Sequence, residues 1–375
     1  MLGIKAALAA GVKWRRQPKM VGNWKNLENI SPFLLQRCCF TNLLPPGRLY
    51  RKNPVYNFLR SRERALRRLF RTYWRRRALW QRDCQIHCTM NKFIRPGLKE
   101  TIAVQKSDVE RLKNEINSTD KKGESTYIKE FLKEYRSHAQ TSTYDNLYRR
   151  CKTADIIWVG DYHANPASQH FLIRLLKALR RSEKPMILGM EMVYRKNQGI
   201  LEQWLDGTVS EKEFLKRIRY DLEWGYDWED YRAIFLTAKS LRIAVKGLDC
   251  GLRKDLRKIR KRDLCVATNI IEIIQRNSQA QLFIFFGESH LAESHLPGKV
   301  RRALKDLGQT LEDVVIVQNM DSIYWDLMRE NHRAEVVQIE PGKFCVFNST
   351  PLEKYRSYEQ AILRWRHQDE DHPEA

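Results

Sequence analysis

Five short apolar runs, at 156–159, 186–190, 243–246, 282–286 and 314–317, constrain the fold of this chain more than any other feature. Each is continuous rather than alternating, apart from Lys246 at the end of the third, as in a strand buried on both faces. Between them lie stretches with helical spacing, at 166–181, 197–205, 210–220, 228–241, 254–277 and 299–307. Strands separated by helices predict an α/β fold, with a mainly parallel or mixed central sheet and helices on both faces. Two later runs, 335–339 and 344–347, flank Pro341-Gly342 and read as a hairpin at the sheet edge. A closing helix is expected over 355–366. Asn165-Pro166 and Ser210 with Glu213 have the pattern of helix starts.

Two of the runs end alike. Gly160-Asp161-Tyr162-His163 follows the first, and Gly287-Glu288-Ser289-His290 follows the fourth. A third run ends on Glu191. Ligands in open α/β sheets bind outside the carboxyl ends of the strands. If the three strands are neighbours, two imidazoles and several carboxylates share one crevice. Such a set supports two chemistries. His163, Glu191 and His290, with Glu288, can ligate a divalent metal. Without metal, a histidine can act as general base while a carboxylate such as Asp161 orients it. The plain alternatives are a histidine that bonds a carbonyl and a Glu191 that simply pairs with Arg262. Glu293 and His295 are expected at the rim, and the aromatic cluster Trp224, Tyr226, Trp228 and Tyr231 as packing under a loop. No phosphate-binding glycine loop, Gly-x-Ser-x-Gly elbow or His-Glu-x-x-His helix is present.

The net charge of +23 belongs to one end of the chain. Residues 1–100 hold 23 Lys+Arg and 4 Asp+Glu, a balance of +19, against +4 for the remainder. This region reads as a basic extension, poorly ordered or partly helical, ahead of a single domain over 101–375. Its densest part, 59–82, has the pattern of a basic amphipathic helix, suited to weak contact with a membrane surface or nucleic acid. A basic tail without function, or a functional start at Met90, explains the same residues. No secretory signal, lipoprotein site or spanning helix is recognisable, so a cytoplasmic location is expected. The eight cysteines do not read as a disulfide framework. Cys250, Cys265 and Cys345 lie in or beside apolar elements and are expected as reduced, small buried residues. Cys84 and Cys88, with His87 between, lack the second ligand pair of a zinc site.

The strings VGDYHANPASQH, LGMEMVYRKNQ, WGYDWEDYRAIF, KRDLCVATNII, FFGESHLAESHLP and FCVFNSTPLEKYRSYEQ resemble the ChaN-like haem-binding family over about residues 141–358. That family is similar to the Tiki/TraB proteins and erythromycin esterase. The resemblance implies an α/β fold with its site at the strand ends, and His163, Glu191 and His290 as the functional positions. It implies either a haem or iron binder, with homodimers stacking haem, or a hydrolase acting on a small-molecule or peptide substrate. A haem ligand among the tyrosines falls to Tyr162, Tyr194 or Tyr231, with Asp161 as a further cofactor-binding position. The chain departs from the family in carrying Asp161 where glutamate is common.

Overall fold

The expected strands form one sheet, and its order explains why their ends matter. The computed structural model describes residues 98–119, 125–180, 184–251, 253 and 258–371. The basic stretch 59–82 and the Cys84/Cys88 pair lie outside them. A helical lead-in comprises α1 (Leu98–Thr119) and α2 (Thr126–Glu134), and the sheet strands begin at β1 (Gln140–Ser142). There follow α3 (Tyr144–Thr153), β2 (Ile156–Asp161), α4 (Pro166–Leu179), β3 (Met186–Tyr194), α5 (Gln198–Asp206) and α6 (Glu211–Ile218). Next come α7 (Tyr220–Glu223), α8 (Trp228–Ser240), β4 (Ala244–Asp249), α9 (Ile259–Arg276) and β5 (Gln281–Gly287). The chain closes with α10 (Leu296–Asp306), β6 (Asp313–Gln318), α11 (Asp321–Arg329), β7 (Val336–Glu340), β8 (Lys343–Val346) and α12 (Pro351–Asp371).

The strand order is β1-β7-β8-β6-β2-β5-β3-β4. From β8 to β4 every pairing is parallel, while β7 runs antiparallel to both β8 and β1. β5 is therefore inserted between β2 and β3, so Asp161, Gly287 and Glu191 come from neighbouring strands, although β3 does not end at Glu191 as expected but runs on to Tyr194. The hairpin is present, but β1 rather than β7 forms the edge. β1 is three polar residues, so no apolar run announced it.

Successive strand residues face opposite layers. Ile157, Val159, Leu188, Met190, Phe283 and Phe285 pack with α4 and α8 through Phe171, Leu175, Ile234 and Phe235. Ile156, Trp158, Ile187, Leu282, Ile284 and Phe286 pack with α2, α9 and α10 through Phe131, Ile270 and Val300. Burying a side chain of this size contributes about 1.5–3 kcal/mol, so the strands are held on both faces. Asn165 caps α4 by accepting from the Ala167 amide at 3.2 Å. Ser210 accepts from the Glu213 amide at 3.2 Å, but Glu213 bonds Arg217 instead of closing the box.

The reading of the cysteines needs correction. Cys345 is buried and free, as is Cys151, but Cys250 and Cys265 form a disulfide and are solvent-exposed. The apolar neighbourhood of α9 concealed that its Cys265 lies on the outer side of the helix. Among the described residues no helix is long and apolar enough to cross a membrane.

Candidate functional site

β2 and β5 pair with Asp161 opposite Gly287, so the two Gly-acid-x-His strings are offset by one residue. The offset gives each acid a different partner. Asp161 bonds its own histidine: the His163 Nδ1–H donates to Oδ2 at 2.8 Å. Tyr231 Oη also donates to Oδ2, at 2.6 Å, and Gln169 Nε2 donates to Oδ1 at 2.7 Å. The carboxylate is buried and its position is fixed from three sides. It aims the other ring nitrogen of His163, Nε2, at Glu191 Oε2, 3.7 Å away.

Glu288 does not bond His290. The strand ends at Gly287 and a 3-10 turn, Glu288–Leu291, sends the two side chains apart. Glu288 lies 3.4 Å from Lys354 Nζ on α12, with its other oxygen unpaired. Burial raises its pKa above the ordinary 4.5, with Lys354 opposing. His290 instead donates from Nδ1 to Asp263 Oδ1 at 2.6 Å, and Tyr127 Oη donates to Asp263 Oδ2 at 2.8 Å. Its Nε2 is left as the acceptor facing Arg262 Nη1 at 3.4 Å.

Arg262 occupies the centre of the arrangement. Its Nη2 donates to Glu191 Oε1 at 2.5 Å, and its Nε and Nη2 donate to the two oxygens of Asp249 at 2.8 and 2.9 Å. The Gly287 amide donates to Glu191 Oε2 at 2.5 Å. Burial opposes ionisation of Glu191, but Arg262, both histidines and this amide outweigh it and hold the carboxyl at about 2. Arg253 donates to Asp249 and to the carbonyls of Glu191 and Met192. For His163, burial disfavours the imidazolium, yet Asp161 and Glu191 prevail over burial and Arg262 and raise its pKa above the ordinary 6.5.

The set His163, Glu191, His290 and Glu288, expected as metal ligands, does not converge. Among the described residues no group of three or more His, Cys, Asp and Glu is arranged to hold a metal ion. A guanidinium stands between Glu191 and His290, and Glu288 faces a lysine. Of the tyrosines, Tyr194 Oη donates to Glu223 at 2.7 Å and Tyr231 Oη to Asp161, so neither offers its oxygen freely. Tyr162 is half-buried, with Lys354 4.6 Å from its ring centre. His295 is not at a rim. It is fully buried, stacked on Tyr127 and bonded to Ser289 and Glu130. Glu293 pairs with Arg301.

Of the charged and imidazole groups at the site, His163 is the most open, with a side chain 20 % exposed against 5 % for Glu191 and His290. Trp224 and Tyr226 flank its ring at 4.5 and 5.1 Å between centres. Part of the aromatic cluster is therefore a wall of the site, while Trp228 packs against Trp204 and Phe214. Gly287 keeps the space before His163 clear. A Cβ there would lie 3.1 Å from Glu191 Oε2 and 3.2 Å from His163 Nε2. Gly287→Ala should displace the imidazole with little change in melting temperature, because a Cβ this close forces its neighbour to give way. A shift in the His163 ring resonances beside an unchanged thermal transition checks this.

Residues 147–269 match the family described as haem-binding uptake, Tiki superfamily, ChaN. The matched segment spans about a third of the chain. It contains β2, β3, β4 and the start of α9, and so Asp161, His163, Glu191, Asp249, Arg262 and Asp263, whereas Tyr127, Gly287, Glu288, His290 and Lys354 lie outside it. Several solved structures are similar to parts of the chain at low identity. ChaN of Campylobacter jejuni, described with cofacial haem binding, is 12% identical and has a TM-score of 0.35. The match covers 48% of this chain and 86% of that one. The type III effector HopBA1 is 13% identical over 57% of this chain and 98% of its own, with a TM-score of 0.41. The C-terminal region of Pasteurella multocida toxin, described as having a thiol-protease-like catalytic triad, is 14% identical with a TM-score of 0.33. That match covers 40% of this chain and 21% of the toxin chain. No curated protein matches.

Proposed function

We propose that the ChaN-like domain is a metal-independent hydrolase of ester or amide bonds, with His163 and Glu191 as its catalytic residues. The observation that carries this reading is the pair itself. His163 Nε2 faces Glu191 Oε2 at 3.7 Å, close enough for one water to touch both at about 2.8 Å. In its neutral form His163 accepts a proton from that water. The water oxygen bonds to the acyl carbon, and the imidazolium then returns the proton to the departing alcohol or amine. Asp161 holds the imidazole in the required tautomer, and the Glu191 carboxylate stabilises the imidazolium. Asp249, Arg262 and His290 act through Glu191 as positioning residues.

The test is an ester and peptide panel assayed with and without a chelator. Turnover should survive chelation and fall at least ~10-fold in Glu191→Gln. Turnover that requires added divalent ion, or that Glu191→Gln leaves intact, overturns the assignment.

The family description favours a second reading, haem binding. Two of the three candidate tyrosines fit it poorly, because Tyr194 and Tyr231 already donate to carboxylates. Tyr162 is the ligand this reading would need. Haemin titration decides it: a Soret shift at micromolar haemin that disappears in Tyr162→Phe supports haem, and an unchanged spectrum rejects it.

A further inference from the structure

We infer that the Cys250–Cys265 disulfide is a thiol–disulfide exchange site that controls the buried charge node, and that its reaction partner is a dithiol reductant. Only the activity arm of its test rests on the hydrolytic reading.

Both cysteines are exposed, whereas the free cysteines among the described residues are buried. Burial pushes the Cys151 and Cys345 thiols up to about 12, which leaves them poor partners for exchange. The disulfide joins two elements that the site depends on. Cys250 directly follows Asp249 at the end of β4, and its amide donates to Asp249 Oδ1 at 2.7 Å. Cys265 lies on α9 three residues beyond Arg262, so both project from neighbouring positions on the helix. The covalent bridge therefore runs beside the Asp249–Arg262 ion pair, whose contacts are 2.8 and 2.9 Å. Arg253, three residues beyond Cys250, extends the same connection to the end of β3 through the Glu191 and Met192 carbonyls.

The exchange balances simply. A thiolate of the reductant attacks one exposed sulfur and forms a mixed disulfide, releasing the other cysteine. The second thiol of the reductant then displaces the first cysteine. Two protein thiols form, and the reductant leaves as its disulfide, having supplied two electrons and two protons. In the reduced chain no covalent bond ties Cys250, at the end of β4, to Cys265 on α9. Asp249 then loses its fixed place on Arg262, and Arg262 its fixed place on Glu191. The oxidised form is the active one, which suits an oxidising compartment; a reducing one switches the site off.

The experiment treats the full chain with dithiothreitol, maps thiols by maleimide labelling and peptide mass, and follows Trp224 fluorescence. Trp224 lies 4.8 Å from the Arg253 guanidinium, and Trp224→Phe identifies its share of the signal. Labelling at Cys250 and Cys265 should appear only after reduction. It should coincide with a change in Trp224 emission and a roughly tenfold fall in turnover, both reversed by oxidised glutathione. Cys250→Ser with Cys265→Ser should hold the low state and ignore the reductant, and Cys265→Ser alone serves if the double variant does not fold. Labelling before reduction, or reduction without any change in emission, overturns the proposal. If emission responds but no ester or peptide is turned over by any form, the hydrolytic reading fails while the switch stands.

Discussion

Arg262→Met should destabilise the protein by about 3–5 kcal/mol at pH 7, the range for breaking a buried ion pair. The guanidinium is 8 % exposed and is bonded to two carboxylates that are themselves buried. Methionine fills much of the volume but neutralises neither. Asp249 keeps Arg253 and the Cys250 amide. Glu191 keeps the Gly287 amide and His163, yet loses the charge that most depresses its pKa. The sign of the pH dependence separates this cause from lost packing. In the native protein Glu191 sits at about 2 against an ordinary 4.5. Its contribution, about 3 kcal/mol, is fully present above 4.5 and is lost as pH falls through 2. In the variant, burial favours the protonated acid. Native and variant should therefore differ most at neutral pH and converge toward pH 2. Urea denaturation at pH 7 and pH 3 measures both differences. Equal losses at the two values would mean that packing, not charge, makes Arg262 important.

The fold was legible because its central strands carry continuous apolar runs. β2, β3 and β5 bury every residue, and such runs have few other uses in a chain of helices. β1 and α11 were missed because three polar residues and a short mixed helix carry no comparable signal. At the site, the strand ends supplied His163, Asp161 and Glu191, but the repeated motif misled about Glu288. Resemblance along the chain says nothing about register, and one residue of offset turned Glu288 toward Lys354. The supporting groups come from elsewhere. Asp249 closes β4 just beyond the run that marked this strand. Asp263 left a clue of its own: it shares an apolar stripe with Val266, Ala267 and Ile270, where a lone carboxylate must have a partner. Tyr127 likewise opens a buried stripe with Phe131 and Tyr135. Arg262 was visible only as an available partner for Glu191. No local pattern distinguishes an arginine that pairs at the surface from one that joins Glu191 to Asp249.

His163→Ala should lower turnover by roughly 10²–10⁴-fold, the usual worth of a positioned acid or base, while the fold persists. The ring is the open member of the site, and its loss uncovers Asp161, which keeps Tyr231 and Gln169 as donors. The pH profile tests the role more sharply than the loss itself. Asp161 and Glu191 raise the His163 pKa above 6.5 despite burial. A general base works only when neutral, so turnover should rise with pH along a limb centred above 6.5. Asp161→Asn removes the nearer of the two raising charges. The limb should then move to lower pH even as maximal turnover falls, because the neutral amide no longer secures the same tautomer. Stability follows the opposite course. The charge pairing of His163 stabilises the fold fully below 6.5 and is lost as pH rises through the raised value. The protein should therefore gain activity and lose some stability over the same interval. Rate profiles and denaturation curves across pH 5.5 to 9 would show both. A limb that stays in place in Asp161→Asn would assign the titrating group elsewhere.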